Sequence, residues 1–151
     1  MLNVLRWTAF GLVPAAVALF LTTCGVPNLE SEPCSEARIE VKRFYSLHFA
    51  NDMGLSPESL KLREPFLTQD LTRKLREIGT TNFDPFTLSN DHPRTFKIAK
   101  CRSLGEPDRL EFQVQIYWRD DRSTTQKEVR VSTVKASDTS TNRWLIDSVT
   151  N

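Results

Sequence analysis

The chain has 151 residues, of which 26% are charged, and its 20 basic and 19 acidic side chains give a formal net charge of +1. This near balance argues against nucleic acid as a partner, because nucleic-acid-binding domains present a basic footprint. The length is typical of one domain with a single core.

Residues 1–23 have the pattern of an export signal. Arg6 is their one charged side chain, and the stretch from Thr8 to Thr23 is uncharged with an almost wholly apolar centre. A basic start, an apolar centre of this length and an end at small residues are typical of a secretory signal peptide rather than of a folded element. We therefore predict that the rest of the chain acts outside the cytoplasm.

The segment Leu21-Thr22-Thr23-Cys24 resembles a bacterial lipobox, in which the cysteine is lipidated and becomes the mature N-terminus. Cys24 is thus the predicted lipidation site and membrane contact, and residues 24–35 are the predicted tether. Two alternatives stay open. Cleavage without lipidation would give a soluble protein, and an uncleaved anchor would use residues 7–26 as a membrane span of about 20 residues. All three place the body of the chain outside the cytoplasm. The lipidated form, which we predict, would lie in the cell envelope, facing the periplasm or the cell exterior.

The cysteine count agrees with an oxidising location. If Cys24 carries a lipid, Cys34 and Cys101 remain as a pair, and we predict a disulfide between them. Closing a loop of about 67 residues would stabilise the fold by about 4 kcal/mol in the chain-entropy model. Two buried free thiols are the alternative. The cysteines and histidines lack metal-binding spacing, so we predict no metal and no other cofactor.

Residues 36–151 are predicted to form one domain that begins with three helices, at 36–51, 57–62 and 69–78. Each helix follows a residue that can cap it, and these are Ser35, Ser56 and Thr68. The first helix carries an apolar stripe, formed by Ala37, Val41, Phe44, Tyr45 and His48.

Residues 80–93 form a predicted loop that contains Phe83 and Phe86. Loops of this length are uncommon unless they are functional or mobile, and a solvated loop does not need two phenylalanines. We predict Phe83 and Phe86 as contact points for a protein partner. His92 lies in the same loop, and we assign it no role.

Four strands follow, at 96–104, 110–119, 127–136 and 143–149. The second strand alternates most clearly, with apolar side chains at Leu110, Phe112, Val114, Ile116 and Trp118. The short connections favour an antiparallel meander, because parallel pairing needs long crossovers. Helices followed by a run of strands are the order of an α+β domain, with the helical stripe packed on the sheet.

Three short motifs occur within this order of elements: Phe44-Tyr45 in the first helix, Asp84-Pro85-Phe86 in the loop, and Trp144-Leu145-Ile146-Asp147 in the last strand. With the order of elements they resemble the nuclear-transport-factor-two-like fold of uncharacterised secreted bacterial proteins. The resemblance covers residues 36–149 and implies a cone-like domain, in which helices and a curved sheet enclose a pocket with an open mouth. Such domains include enzymes and non-catalytic binding modules, and the fold alone does not distinguish them.

Tyr45, His48 and Asp147 are the candidate pocket residues. In a cone of this kind they could converge as a proton-transfer group, as in isomerase or dehydratase relatives. A structural interpretation is simpler, because a single histidine on an apolar face is usually a hydrogen-bonded core residue, and a core tyrosine usually has a satisfied hydroxyl. We favour the structural interpretation and predict that the protein is not an enzyme.

The sequence therefore predicts a non-catalytic envelope lipoprotein that binds a small apolar ligand or a protein partner. Two other functions stay open: a small lyase or isomerase, and an inhibitor of a periplasmic enzyme that acts through residues 80–93. A solvent-connected cavity shared by His48 and Asp147 would favour the enzyme. A cone plugged by Phe44, Trp118 and Trp144 would leave only recognition at the surface.

Overall fold

The computed structural model describes residues 30, 32–119, 123–137 and 143–151. The predicted signal peptide, the lipidation site Cys24 and the tether up to residue 29 lie outside these residues, as do residues 120–122 and 138–142 of two predicted turns. Within the described part of the chain, no helix has the length and apolar character needed to cross a membrane.

Three helices open the domain: α1 (Cys34–Phe49), α2 (Pro57–Arg63) and α3 (Gln69–Ile78), with a short 3₁₀ turn (Glu64–Phe66) after α2. The caps at Ser56 and Thr68 are confirmed, because the side chain of each accepts a backbone N–H of its helix. The predicted cap at Ser35 is wrong. The helix begins at Cys34, two residues before its predicted start, since the Pro33 carbonyl already accepts the Ala37 N–H, and Ser35 lies inside the helix.

A four-stranded antiparallel sheet follows, with strands β1 (Thr95–Ser103), β2 (Arg109–Arg119), β3 (Thr124–Lys135) and β4 (Trp144–Thr150). The strands lie in the order β1-β2-β3-β4, so each pairs with its neighbour in sequence. The predicted meander and the α+β class are thus confirmed. Strand β3 begins three residues before its predicted start, because Thr124 pairs with Arg119 at the end of β2.

The core lies between α1 and one face of the sheet, which we call the inner face. The predicted stripe of α1 is buried, and so are alternate side chains of β2, β3 and β4: Leu110, Phe112, Val114, Ile116, Val129, Val131, Trp144 and Ile146. This alternation buries one side of each strand and leaves the other to solvent. Trp118 continues the inner row of β2, but it is only half-buried.

A disulfide joins Cys34 at the start of α1 to Cys101 of β1, with Cα atoms 6.0 Å apart and a sequence separation of 67 residues. The pairing predicted from the cysteine count is confirmed. Arg38 strengthens the same junction, since its guanidinium donates to the carbonyl oxygens of Ile98 and Ala99 at 2.8 and 2.7 Å. The β1–β2 register shifts immediately after these carbonyls, so Arg38 and the disulfide together hold α1 against an irregular part of the edge strand.

Residues 80–93 are not an independent loop, because backbone hydrogen bonds fix them at several points. Thr81 pairs with Leu55, and the Asp84 N–H donates to the Ser89 carbonyl at 2.9 Å. The Arg94 N–H then donates to the Tyr117 carbonyl at 2.8 Å as the chain enters β1. This segment therefore covers the end of the inner sheet face in a fixed conformation.

Candidate functional site

His48 lies inside the core and has no exposed surface. Arg63 donates from Nε to the ring Nδ1 at 2.8 Å, and the ring Nε2 is 2.9 Å from Asp84 Oδ2. A ring nitrogen that accepts a hydrogen bond carries no proton, so the hydrogen-bond pattern assigns the proton to Nε2, which donates to Asp84. His48 is therefore a neutral bridge between a buried cation and a buried anion. We call His48, Arg63 and Asp84 the His48 cluster.

The two charged members of the His48 cluster are both held by further hydrogen bonds. Arg63 donates to the carbonyl oxygens of Ser59 and Asp52, both at 2.5 Å. Burial lowers the pKa of the Arg63 guanidinium, while the negative charges of Asp84 and Asp52 act in the opposite direction. Because a buried charge is tolerated only when it is paired and hydrogen-bonded, these contacts make the cluster a structural unit.

Asp84 is held by its own local turn as well as by His48. Its Oδ1 accepts the Phe86 N–H at 2.8 Å, which forms an Asx turn, and its Oδ2 also accepts the Thr87 hydroxyl at 2.5 Å. The Asp84-Pro85-Phe86 motif thus positions the carboxylate under α1. With three hydrogen bonds accepted and 4% of its surface exposed, Asp84 is not placed to act as a general base.

Tyr45 is a core residue with a satisfied hydroxyl, which donates to the Phe86 carbonyl at 2.9 Å. Burial, and secondarily the charge of Asp84, raise the pKa of Tyr45 well above its ordinary value. Aromatic rings surround the site, and the Phe86 ring lies 4.8 Å from Phe44 and 5.1 Å from His48, measured between centroids. The hydroxyl of Tyr45 is therefore not available to a substrate.

Asp147 does not join Tyr45 and His48, so the predicted trio is not formed. Its carboxylate accepts the Thr68 hydroxyl at 3.1 Å and lies 3.6 Å from the Arg109 guanidinium. The reason is the alternation of side chains along β4, because Ile146 is buried on the inner face and its neighbour Asp147 points away from it. His48 has no exposed surface, and Asp147 lines a separate pocket with Thr68 and Arg109, so the two do not share the solvent-connected cavity that the enzyme alternative requires.

The two phenylalanines of the predicted partner loop have different environments. Phe83 is 42% exposed, whereas Phe86 is only 2% exposed and belongs to the core. The prediction that Phe86 contacts a partner is therefore wrong, because the Asx turn at Asp84 directs this side chain against Phe44 and His48. The predicted plug is formed only in part, since Phe44 and Trp144 are buried but Trp118 is not.

An open pocket of about 460 Å³ lies where the inner face of the sheet ends, at the β2–β3 hairpin. We call it the Trp118 pocket. Residues from the sheet and from the 80–93 segment line it, and these are Ser89, Asp91, His92, Trp118, Arg119, Thr125 and Lys127. Trp118 pairs with Thr125, and Ile116 with Lys127, so the pocket begins directly beyond the last fully buried residue of β2.

Two hydrogen bonds from the sheet fix the 80–93 segment over this pocket. Trp118 donates from Nε1 to the Asp91 carbonyl at 3.0 Å, and Lys127 donates from Nζ to the Leu88 carbonyl at 2.7 Å. Leu88 adopts a left-handed backbone conformation with φ 53°, which is uncommon for a residue with a side chain. Backbone held in a sparsely populated conformation often accompanies a binding site.

Sequence reasoning missed the Trp118 pocket. Trp118 was recognisable as an inner-face residue from the alternation of β2, but its half-burial depends on where the helices stop covering the sheet. His92 lies before a proline in the 80–93 segment. This local sequence does not indicate which residues surround His92 in the folded protein. The contact between Trp118 and Asp91 joins residues 27 positions apart, and a local pattern cannot show it.

Among the described residues, one group of potential metal ligands occurs, formed by Glu30, Cys34 and Cys101. The two sulfur atoms are bonded to each other, so they are not thiolates and cannot act as such ligands. The carboxylate of Glu30 forms an ion pair with Arg38. This group therefore does not fit a metal ion.

The molecule is thus an α+β domain in which a helical layer covers most of one sheet face and leaves a pocket at its end. No family model matches the chain, and the comparison with curated proteins gives no match. Among solved structures, the chain is similar to an Ntf2-like protein involved in plasmid conjugation, with 10% sequence identity and a TM-score of 0.39 over 73% of this chain. The chain spans about half the length of that protein, 47%.

Proposed function

We propose that the protein is a lipid-anchored module of the cell envelope, which binds a small organic molecule in the Trp118 pocket and catalyses no reaction. The observation that carries the proposal is the contrast between two groups of polar side chains. Those of the His48 cluster are buried and bonded to one another, whereas those of the Trp118 pocket surround an open volume.

The size and lining of the pocket support a binding role. Its volume of about 460 Å³ lies within the range of sites for small molecules, which is about 300–1,000 Å³. The Trp118 ring supplies a rigid apolar wall, while Ser89, Thr125 and Lys127 supply hydrogen-bonding groups. A few polar groups around an aromatic wall are typical of a site that orients a ligand.

The state of the two histidines supports a non-catalytic role. Acid–base catalysis requires a group within hydrogen-bond reach of the substrate, and His48 is fully buried with both ring nitrogens in use. His92 reaches the pocket, but within the described residues no hydrogen bond orients its ring. A catalytic base is normally held by a third group, and His92 has no such support.

Lipid anchoring rests on the sequence of residues 1–24, and the disulfide agrees with it because disulfides persist in oxidising compartments. Metabolic labelling with an alkyne analogue of palmitate tests the anchor. We expect Cys24→Ser to remove the label, and the Cys34→Ser/Cys101→Ser double variant to keep it. Label on the Cys24→Ser protein would contradict lipidation at this residue.

Ligand-observed NMR with a fragment library tests the binding role, using the full chain purified in detergent. We expect fragments to bind the wild-type protein, and Trp118→Ala to weaken their binding by about tenfold or more, because it removes the aromatic wall. Tyr117→Phe is the matched control, since the neighbouring side chain lies on the other face of β2. Fragments that bind Trp118→Ala as well as wild type would contradict the assignment of the site.

A second candidate function is recognition of a protein, including inhibition of a periplasmic enzyme, through the exposed Phe83. Its 42% exposed ring favours this alternative. A photo-crosslinking residue at position 83 would then trap one defined partner in intact cells. The matched control is position 104, where Leu104 is 41% exposed on a different part of the surface. Equal trapping at both positions would contradict recognition through Phe83.

A further inference from the structure

We infer that the Trp118 pocket selects a small organic anion with a flat apolar body, of the class of aromatic carboxylates. This inference deepens the proposed function and rests on it. It joins three observations about the described residues: a half-buried cation without an anionic partner, free hydroxyl groups beside it, and an aromatic ring fixed as a wall.

Lys127 supplies the positive charge that would pair with the anionic ligand. Its side chain is half-buried on the inner face of β3, where it donates one hydrogen bond to the Leu88 carbonyl and has two further N–H groups. It forms no ion pair with any residue that the structure describes. A partly desolvated ammonium without an anion favours a ligand that brings one.

Basic side chains outnumber acidic ones in the part of the pocket wall that the structure describes. Among the lining residues that the structure describes, Arg119 and Lys127 are basic and Asp91 is the one acidic side chain. A cleft lined mainly by one sign of charge raises the local concentration of oppositely charged ligands. An anion is therefore favoured over a cation of the same shape.

Hydroxyl groups near Lys127 can complete the recognition of a carboxylate. Thr125 lines the pocket, and its hydroxyl makes no hydrogen bond within the described part of the chain. The Ser89 Oγ accepts the Asp91 N–H at 3.0 Å, so its own proton remains free to donate. Hydrogen bonds to an ionised acceptor are roughly twice as strong as neutral ones, which makes these donors more effective toward an anion than toward an amide.

The Trp118 ring accounts for the flat apolar body. Its edge is fixed by the hydrogen bond from Nε1 to the Asp91 carbonyl, and the ring lines the pocket. A ring held in this way offers an aromatic surface without losing side-chain freedom on binding. Stacked or edge-to-face contacts then favour a planar ligand over a flexible chain of equal size.

A pair of probes of nearly equal shape, one an anion with two acceptor oxygens and the other a neutral amide, tests this inference. Benzoate and benzamide have the same size and shape, and their dissociation constants for the full chain in detergent can be measured by ligand-observed NMR. We expect benzoate to bind about tenfold more tightly than benzamide, because it gains a charge-assisted hydrogen bond. Raising the salt concentration should weaken benzoate binding selectively.

Variants of two lysines in β3 test which side chain is responsible for the preference for benzoate. Lys127→Met should remove the preference for benzoate, and Lys127→Arg, which keeps the charge and a donor for the Leu88 carbonyl, should retain it. Lys135→Met is the matched control, because Lys135 lies on the same strand outside the Trp118 pocket. Trp118→Leu should weaken both probes. Thermal unfolding of each variant checks that the fold is intact, and the wild-type comparison does not depend on any variant.

The outcomes separate this inference from the proposed function. Equal binding of the two probes, or tighter binding of benzylamine than of benzoate, would overturn the selection of an anion and leave small-molecule binding intact. A preference for benzoate that survives in Lys127→Met would overturn the role of this residue. If neither these probes nor any library fragment binds, the proposed binding function fails, and the inference fails with it.

Discussion

The His48 cluster and the Trp118 pocket contain the same kinds of side chain, and they differ in whether those side chains have partners. Each contains a histidine, an aspartate and a basic residue, and each has an aromatic ring in contact with it or in its wall. In the cluster, hydrogen bonds link Arg63 to His48 and His48 to Asp84, and the His48 ring contacts Phe86. In the pocket, the charged groups of Lys127 and Asp91 form no ion pair with any described residue. Residue type alone therefore does not identify a site, whereas exposure and unused hydrogen-bonding capacity do.

The largest difference between the two regions should appear when each loses its aspartate. Asp84→Ala removes the buried counter-charge of Arg63, so we expect it to lower the free energy of unfolding by about 3–5 kcal/mol. Asp91→Ala removes an exposed side chain, and we expect a change within about 0.5 kcal/mol. Urea unfolding followed by circular dichroism measures both.

The double variant Arg63→Met/Asp84→Ala sharpens this comparison, because it removes the cation together with its counter-charge. We expect it to lose less stability than the sum of the two single variants. Strict additivity, or similar losses for Asp84→Ala and Asp91→Ala, would show that the His48 cluster is not an electrostatic unit.

The two phenylalanines of the 80–93 segment provide a second matched pair. Phe86→Ala creates a cavity in the core, and we expect it to cost about 3–5 kcal/mol. Phe83→Ala should cost less than about 1 kcal/mol, because its ring is largely in solvent. Chemical unfolding of both variants tests the corrected assignment, which equal losses would contradict.

The raised pKa of Tyr45 predicts a loss of stability in alkali. The folded protein holds this hydroxyl protonated above the pH at which the unfolded chain ionises it, since burial raises the folded-state pKa. Its contribution is fully present below about pH 10, the ordinary tyrosine pKa, and is lost as pH rises above that value. In this range the free energy of unfolding should fall by up to about 1.4 kcal/mol per pH unit.

A Tyr117→Phe background makes this measurement specific, because Tyr45 is then the remaining tyrosine of the chain. The absorbance of tyrosinate should appear together with the loss of the native circular dichroism signal. Tyr45→Phe should reduce the alkaline slope. Tyrosinate in a protein that still gives the native signal would contradict the burial of this hydroxyl.

The smallest effect on stability is expected for His92, the pocket counterpart of His48. His92→Ala removes an exposed ring that makes no hydrogen bond within the described residues, so we expect a change within about 0.5 kcal/mol. The same variant should alter the binding of fragments to the Trp118 pocket. A loss of several kcal/mol, measured by urea unfolding, would show that His92 has a structural role like that of His48.

Local patterns were enough to predict most of the fold. Alternation identified the inner row of β2, and caps identified the starts of α2 and α3 at Ser56 and Thr68. These signals act within a few residues, so they are visible in the sequence. The start of α1 was misplaced because Pro33 supplies only a backbone carbonyl, for which no side-chain pattern exists.

The site was harder to predict because its geometry depends on distant parts of the chain. His48 finds its partners in α2 and in the 80–93 segment, and Asp147 was assigned to a pocket from which the alternation of β4 excludes it. The same alternation could have been applied to Asp147, since Ile146 is the apolar neighbour that faces the core. The partnership of Trp118 with Asp91 had no local signal, because it is a tertiary contact.

In the lipid-anchored protein that we propose, the disulfide has a mechanical consequence. A pulling force transmitted from Cys24 enters the domain at Cys34, the first residue of α1. The bond to Cys101 carries this load directly to the sheet, so α1 is bypassed and need not unwind under tension. Reduction would redirect the load through α1, which carries His48 of the His48 cluster. With this bond intact, the domain would resist unfolding by a pulling force for as long as its environment stays oxidising.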